Sequence, residues 1–278
     1  MTLLRVRDLS FSYHHKSGAR PTLQQVSFEL QPGSLVGVVG PNGCGKSTLL
    51  KLLAAQHKAQ AGEILLGGQQ LNSLSARSLA QQLAYLPQRP VVPSGITVEQ
   101  LVQYGRHPHQ GWLRQWSDED RRLVDEAIAT LQLQELRHRS VDDLSGGQVQ
   151  RVWLAMIMAQ NTEMVLLDEP TSALDIGHQT EVMEAIHSMA ASGRTVLIVM
   201  HDLACAARYC DQLIAMADGQ VQAFGCAREV ISKQLIDRLY NTQVDILAAP
   251  GDGAPVIVPR RLDAAASEPS HSKELFHV

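Results

Sequence analysis

A glycine-rich segment between two apolar runs constrains the fold of this chain more than any other feature. Residues Gly40–Ser47 read GPNGCGKS and follow the apolar run Leu35–Val39. The glycines let backbone N–H groups turn inward around phosphate oxygens, and a helix that starts near Gly45 directs the positive end of its dipole at the same anion. A buried strand, this loop and an apolar helix in succession predict an α/β chain that binds phosphate groups. In that arrangement Lys46 reaches the β- and γ-phosphates, and the Ser47 hydroxyl coordinates Mg²⁺.

Two further apolar runs predict more strands that are buried on both faces. Met164–Leu167 and Val196–Met200 are continuous apolar segments, and residues with helical spacing lie between them. Strands that alternate with helices argue for a parallel sheet. Near the N-terminus, Leu4–Val6 and Val26–Leu30 alternate apolar and polar residues instead, which is typical of a half-exposed antiparallel sheet.

Charged and polar residues follow the two later runs directly. Asp168 and Glu169 end the first, and His201 ends the second. Because ligands of open parallel sheets bind at the carboxyl ends of the strands, these side chains are predicted to meet Gly40 at one edge. Asp168 would hold Mg²⁺, Glu169 would polarise a water in line with the γ-phosphate, and His201 would hydrogen-bond that phosphate. Paired carboxylates are otherwise often a helix cap and a lone histidine is often structural, but the neighbouring phosphate loop favours the catalytic interpretation.

The middle of the chain has a different pattern. No β-rich run interrupts it, and the apolar spacing of Arg121–Leu131 is helical. We interpret residues 89–160 as a helical subdomain inserted into the α/β core, within a single domain that covers residues 1–260. The remaining residues, 261–278, are rich in Ala, Ser, Pro and His and are predicted to be a mobile tail.

Composition limits the partners and the cellular compartment that are expected for this chain. Its 278 residues are 45% hydrophobic and 19% charged, as in an ordinary globular protein. A net charge of −4 gives no sign of a nucleic-acid partner. No apolar run approaches the ~20 residues that span a bilayer, and the N-terminus lacks the apolar centre of a signal peptide. These features favour a cytosolic chain.

The four cysteines lack zinc-ligand spacing and are expected to be free thiols in a reducing compartment. Cys44 stands out because it lies in the phosphate loop, beside Lys46 and a helix N-terminus. Both features lower the pKa of a thiol, which predicts a reactive Cys44 that bound nucleotide would protect from alkylation. A small buried thiol that only fills space is the alternative interpretation.

A second glycine motif supplies a family resemblance. Leu144–Gln148 reads LSGGQ and lies upstream of Asp168. Together with the phosphate loop, and in the same order along the chain, it resembles the signature of ABC ATPases, and the resemblance covers roughly Leu3–Arg260. The resemblance implies an α/β P-loop NTPase core with a parallel sheet, an N-terminal antiparallel β subdomain and an inserted helical subdomain. It also implies hydrolysis of ATP, with ATP and Mg²⁺ as the cofactors.

The same resemblance assigns roles to further residues. Tyr13 matches the aromatic residue that stacks on adenine, Gln88 matches the glutamine that touches Mg²⁺ and the attacking water, and His201 matches the switch histidine. Catalysis is thus expected of Glu169, His201, Gln88 and Lys46, and metal binding of Ser47, Gln88 and Asp168. The residues expected around the nucleotide are Tyr13, Gly40, Pro41, Asn42, Gly43, Cys44, Gly45, Lys46, Ser47, Thr48, Ser145, Gly146, Gly147 and Gln148.

The signature also implies an assembly. One chain carries one phosphate loop and one signature, and in the resembled family the signature of one copy covers the γ-phosphate held by the other. Two copies arranged head to tail, joined by the loop Ser172–Asp175, would therefore form a homodimer that encloses two ATP molecules. Ser145–Gly147 are expected to precede a helix, Gln150–Met158, whose N-terminus offers a second anion site. Val149 departs from the polar or basic residue common at its position, and little effect on hydrolysis is expected.

Two segments resemble one branch of the family. Thr97–Trp116 and Gly219–Gly225 resemble the subunits that serve importers of iron–siderophore complexes, haem and cobalamin. The implied partners are an integral membrane permease and a periplasmic or surface substrate-binding protein, which would place the chain peripherally at the cytoplasmic face of the cell membrane. Val91, Val92 and Tyr104 are expected to contact a short cytoplasmic helix of the permease, and ordinary core packing of Val91 and Val92 is the alternative interpretation.

Alternatives remain beside these expectations. An iron–siderophore importer is the first expectation, followed by a haem or cobalamin importer and then by an exporter. A chromosome-organising ATPase would need a long coiled coil between the phosphate loop and the signature, and the segment here lacks sustained heptads. His107 and His109 resemble a metal pair, but two histidines without a third ligand make a poor site, and a solvated loop that faces a partner is the preferred interpretation.

Overall fold

The computed structural model describes residues 2–13, 21–92, 94–111, 116–172, 174–251 and 253–260. The predicted tail, residues 261–278, lies outside the described residues, as do residues 112–115 of the Thr97–Trp116 segment. The strands in chain order are β1 (Leu4–Phe11), β2 (Leu23–Leu30), β3 (Leu35–Val39), β4 (Ala61–Leu66), β5 (Gln69–Gln70), β6 (Leu83–Leu86), β7 (Met164–Asp168), β8 (Thr195–Val199), β9 (Gln212–Ala217), β10 (Gln220–Cys226), β11 (Val244–Ala248) and β12 (Pro255–Pro259).

The helices in chain order are α1 (Lys46–Leu53), α2 (Ala76–Gln82), α3 (Val98–Tyr104), α4 (Asp118–Thr130), α5 (Gly146–Gln160), α6 (Ile176–Ala191), α7 (Leu203–Tyr209), α8 (Ala227–Val230) and α9 (Lys233–Tyr240). Short 3₁₀ turns connect some of them, among which His107–His109 follows α3. In the part of the chain that the structure describes, no helix combines the length and the apolar character needed to cross a bilayer.

The central sheet has the strand order β10-β9-β3-β8-β7-β6. Strands β9, β3, β8, β7 and β6 are parallel, and β10 pairs with β9 in the antiparallel direction. Leu35 and Val39 of β3 pack into the cluster on one face, whereas Val36 and Val38 pack into the cluster on the other. The strand is therefore buried on both faces, as its continuous apolar run predicts.

A second, four-stranded sheet has the order β2-β1-β4-β5, and its strands pair in the antiparallel direction. Alternate residues of β1, such as Leu4 and Val6, are buried in the same cluster as Leu49 of α1. The alternation of the sequence gives this sheet one apolar face, which packs against the helix that follows the phosphate loop. Both sheets agree with the predicted fold class, an α/β core with an N-terminal antiparallel part.

Helices α3, α4 and α5 occupy the middle of the chain and pack against one another. Helix α4 confirms the helical spacing around Arg121–Leu131. The predicted helix over Gln150–Met158 is confirmed, but α5 is longer and runs from Gly146 to Gln160. Only Ser145 precedes it, whereas Gly146 and Gly147 lie in its first turn. A capping box closes its N-terminus, and the left-handed Asn161 ends it. The bounds 89–160 for a helical subdomain and 1–260 for one domain stay predictions.

Candidate functional site

The phosphate loop connects the end of β3 to the start of α1, as the motif requires. Gly40 has a φ of 146°, and a Cβ at this position would lie 2.1 Å from the carbonyl oxygen of Met216. Gly45 has a φ of 105°, and a Cβ there would lie 2.6 Å from Cδ2 of Leu23. Both positions therefore exclude a side chain, and α1 begins directly afterwards at Lys46.

The loop encloses a cavity with a polar lining. Lys46 is 5% exposed, and its Nζ donates to the carbonyl oxygens of Gly40 at 2.7 Å and of Pro41 at 3.0 Å. Its ammonium group is thus held at the mouth of the loop, where charge on a phosphate would develop. The cavity has a volume of about 300 Å³ and is lined by Thr22, Asn42, Gly43, Gly45, Lys46, Ser47, Thr48 and Glu169.

Ser47 and Asp168 form the part of this site that suits a divalent cation. The Ser47 hydroxyl donates to Oδ1 of Asp168 at 2.9 Å, and Asp168 is 2% exposed. Burial raises the pKa of Asp168 against the opposing bond from Ser47, and the neighbouring Glu169 carboxylate adds to the rise. Hydroxyl and carboxylate oxygens side by side are the ligands that Mg²⁺ prefers, so these two residues fit the ion. Gln88, the third predicted metal ligand, lies against Glu169 instead.

Glu169 is held between two of the predicted catalytic residues. Nε2 of Gln88 donates to one carboxylate oxygen at 2.5 Å, and Nε2 of His201 lies 2.5 Å from the other. The φ of Glu169 is 52°, a left-handed conformation that is uncommon for a residue with a side chain. The Glu169 side chain is 9% exposed and that of His201 is 44% exposed. The structure thus brings Gln88, Glu169 and His201 together beside the phosphate loop.

The signature forms the first turn of α5. The Ser145 hydroxyl accepts from the Gln148 backbone N–H at 3.3 Å, and Oε1 of Gln148 accepts from the Ser145 N–H at 3.0 Å. A Cβ on Gly147 would lie 3.3 Å from Leu174, so the signature packs against the loop before α6. Ala173 of that loop lies outside the described residues. Of the described residues that line the phosphate-loop cavity, none belongs to the signature.

Tyr13 lies at the edge of the phosphate loop. Its hydroxyl is 3.4 Å from Oγ1 of Thr48, and the residue is 47% exposed. Its ring contacts Phe11 and His57. Sequence reasoning identified Tyr13 but missed His57, as well as Thr22 of the cavity lining, because neither belongs to a motif.

The lowered pKa that the sequence predicts for the Cys44 thiol is wrong. Cys44 is a free thiol that is 5% exposed. Burial raises its pKa, and the opposing charge of Lys46 and the backbone N–H bonds do not outweigh it. The structure favours the alternative interpretation of a small thiol that fills space inside the loop, where a Cβ on Gly40 would lie 3.1 Å from Sγ of Cys44.

The solvated loop expected at His107–His109 is also corrected in part. His107 is exposed and packs edge-on against Tyr104, but Nε2 of the half-buried His109 lies 2.8 Å from the carbonyl oxygen of Gln160. His109 therefore binds the C-terminal end of α5. A helix end has carbonyl groups without partners in the helix, and a side-chain N–H satisfies one of them.

Strand ends of the central sheet bring together a lysine-bearing phosphate loop, a buried aspartate bonded to Ser47, and a glutamate that lines the cavity. This arrangement is typical of P-loop NTPases. A family model described as "ABC transporter" matches residues 23–172. The petrobactin import ATP-binding protein FpuD of Bacillus anthracis is 40% identical over 92% of this chain and 93% of its own length. The ferric enterobactin transport ATP-binding protein FepC of Escherichia coli is 37% identical over 92% of this chain and 93% of its own. The chain belongs to the ABC transporter family.

Solved structures agree with that assignment. An ABC transporter described as metal-chelate type, in an inward-facing conformation, has a TM-score of 0.80 and 26% identity, over 94% of this chain and 98% of its own. The dimeric cassette MJ0796, bound to ADP and Pi, has a TM-score of 0.72 and 26% identity, over 81% of this chain and 99% of its own. The chain is thus an ATP-binding subunit of a transporter, an ATPase whose activity is coupled to transport. The resemblance that the motifs indicated is confirmed.

Proposed function

We propose that this chain is the motor subunit of an importer for iron–siderophore complexes, and that two copies work together on a membrane permease. The observation that carries the proposal is the position of Glu169, which lines the phosphate-loop cavity and follows Asp168, the proposed Mg²⁺ ligand, directly in the chain. Relatives named for petrobactin, achromobactin and ferric enterobactin support the substrate class. A hemin import protein of Rhodococcus jostii, 40% identical, keeps haem as the alternative, and a cobalamin import protein of Halobacterium salinarum, also 40% identical, keeps cobalamin.

Glu169 is the general base in this proposal. Its carboxylate accepts a proton from a water whose oxygen attacks the γ-phosphorus, while the bond from that phosphorus to the β–γ bridging oxygen breaks. Gln88 and His201 hold the two carboxylate oxygens at 2.5 Å each and so fix the direction of the base. A base must lie within hydrogen-bond reach of the proton that it removes, and this fixed position beside the loop meets that need.

The remaining residues bind and neutralise the nucleotide. Lys46 supplies positive charge to the β- and γ-phosphates, and the backbone N–H groups of the loop surround their oxygens. Ser47 and Asp168 would hold Mg²⁺, which when bound offsets the charge on the phosphates. Tyr13 offers an exposed ring to the adenine base.

The separation of the signature from the cavity supports the dimer. Gly146 and Gly147 begin α5, and the backbone N–H groups of a first helical turn point outward along the helix axis, which suits an anion. Because the chain's own cavity is lined without them, a second copy is the natural source of a signature for each site. The dimeric state of the MJ0796 cassette supports this arrangement by likeness.

Two exposed apolar side chains support docking to a permease. Val91 is 86% exposed and Tyr104 is 39% exposed, whereas Val92 is partly buried against the core. Val91 follows Gln88 closely in the chain, so a helix seated here would lie near a residue that binds the catalytic base. We therefore expect Val91 and Tyr104 to contact the permease, and Val92 to contribute mainly to packing.

Uptake and crosslinking test this proposal together. Cells that lack this chain should lose uptake of a ferric siderophore, and the wild-type chain should restore it whereas Lys46→Ala should not. If these cells instead lose uptake of haem or of cobalamin, the chain serves the corresponding alternative importer.

Crosslinking tests the docking surface. In a Cys226→Ser background, Val91→Cys and Tyr104→Cys should crosslink to the permease. Leu247→Cys, a 57% exposed position on the C-terminal hairpin, should crosslink far less, and the reverse order would refute the docking surface.

A further inference from the structure

Three rings meet beside the phosphate loop, namely Phe11 and Tyr13 at the end of β1 and His57 beyond the end of α1. The rings of Phe11 and His57 are stacked, with centroids 5.4 Å apart and planes 17° apart. Tyr13 stands perpendicular to both. Its centroid lies 5.0 Å from that of Phe11 at 87°, and 5.4 Å from that of His57 at 90°. Because Phe11 is buried at 8% exposure, the stacked pair forms a fixed wall against which the Tyr13 ring rests.

The hydroxyl end of Tyr13 is held separately, 3.4 Å from Oγ1 of Thr48 in the first turn of α1. Thr48 lines the phosphate-loop cavity. The ring is therefore fixed at its tip by the helix that starts at the phosphates, and along its side by Phe11 and by His57 beyond the end of that helix. Nearly half of the residue stays exposed, which leaves ring surface for a flat ligand.

We propose that His57 is a positioning residue for the nucleotide base, which holds the Tyr13 ring in the orientation that stacks on adenine. The inference rests on the proposed function, in which Tyr13 receives the base. Stacking requires one ring orientation, and a perpendicular ring contact contributes to holding it. Loss of the His57 ring removes one of the two lateral contacts of Tyr13, so the cost falls on base binding and leaves the phosphate site unchanged.

The test compares ATP with inorganic tripolyphosphate, which carries the phosphates but no base. His57→Ala should weaken ATP binding by about two- to tenfold in calorimetry, and should leave tripolyphosphate binding unchanged. The KM for ATP should rise by the same factor with kcat unchanged. His57→Phe, whose ring can still stack on Phe11, should restore ATP binding to within about twofold of wild type. A merely structural role would weaken both ligands equally, and that result would overturn the inference.

Tyr13→Ala separates this inference from the function on which it rests. If Tyr13→Ala leaves ATP binding unchanged, the assignment of Tyr13 to the base fails, and the inference falls with it. If Tyr13→Ala weakens ATP binding but His57→Ala does not, only the inference is overturned. In the double variant, His57→Ala should add no further loss to that of Tyr13→Ala, because His57 acts through that ring. An additive loss would contradict the positioning role.

Discussion

The buried ion pair between Arg106 and Asp120 holds three helices together. Nε of Arg106 donates to Oδ1 of Asp120 at 2.7 Å, and the two side chains are 6% and 8% exposed. The same guanidinium donates to the carbonyl oxygens of Ala159 at 2.8 Å and of Gln160 at 3.1 Å, at the end of α5. Arg106, just after α3, thus links the start of α4 to the end of the signature helix.

Arg106→Ala leaves the Asp120 carboxylate without its cation and the end of α5 without a donor. Removal of one partner from a buried pair costs about 3–5 kcal/mol in the free energy of unfolding. Arg121→Ala is the matched control on α4, because Arg121 pairs with Asp118 at 3.0 Å and the two side chains are 65% and 99% exposed. An exposed pair of this kind contributes about 0–1 kcal/mol.

Urea denaturation followed by tryptophan fluorescence and circular dichroism measures both variants. Burial opposes ionisation of Asp120, but the bonds from Arg106 and Ser117 outweigh it and hold the pKa of Asp120 below its ordinary value of 3.8. A carboxylate with a lowered pKa contributes stability above that value, and the contribution is lost as the pH falls below it. The gap between wild type and Arg106→Ala should therefore be full at neutral pH. If Arg106→Ala lowers the free energy of unfolding at pH 7 by no more than Arg121→Ala does, the reasoning is refuted.

Three further predictions follow from the site and its surroundings. Ser145→Arg should leave ATP affinity in calorimetry within about twofold of wild type and lower hydrolysis by at least about 100-fold, since it blocks the signature from the partner's γ-phosphate; equal loss of binding would contradict this. Iodoacetamide should label the exposed Cys226 before the buried Cys44 in a mass-spectrometric time course, and the opposite order would support the prediction that Cys44 is reactive. Burial and the charge of Arg106 lower the pKa of His109 below 6.5, so the free energy of unfolding should fall as the pH falls through that value. His109→Gln, which keeps a donor but does not titrate, should weaken that dependence, and an unchanged slope would exclude His109 as its source.

The sequence predicts most clearly the central-sheet strands that are buried on both faces. Strands β3, β7 and β8 lie inside the sheet with both faces covered, so each appears as a continuous apolar run. Strand β6 was missed because its four residues, Leu83–Leu86, follow α2 without a break. The β9–β10 hairpin had a signal in the sequence, the turn dipeptide Asp218–Gly219. Both residues adopt the positive φ values, 49° and 76°, that such a turn requires.

In the predicted site, too, residues that belong to motifs were predicted, whereas contacts that arise from tertiary packing were not. Gly40–Ser47, Asp168, Glu169 and His201 were found because motifs and strand ends place them at one edge of the sheet. The left-handed backbone of Glu169 has no local pattern in the sequence, and its contacts with Gln88 and His201 are tertiary. The contact of His57 with Tyr13 and the burial of Cys44 arise from tertiary packing, so sequence reasoning missed the first and predicted the wrong direction for the pKa of the second.

Hydrolysis and dimerisation by Glu169→Gln test the central claim most directly. The substitution keeps the shape of the side chain and removes the base, so ATP binding should persist while turnover falls by about 10²–10⁴-fold. With ATP and Mg²⁺ the variant should accumulate as a dimer in size-exclusion chromatography with light scattering. Glu163→Gln, at an exposed position just before β7, should hydrolyse ATP at the wild-type rate. Near-normal turnover by purified Glu169→Gln would contradict the account, because the base would then have to be another group.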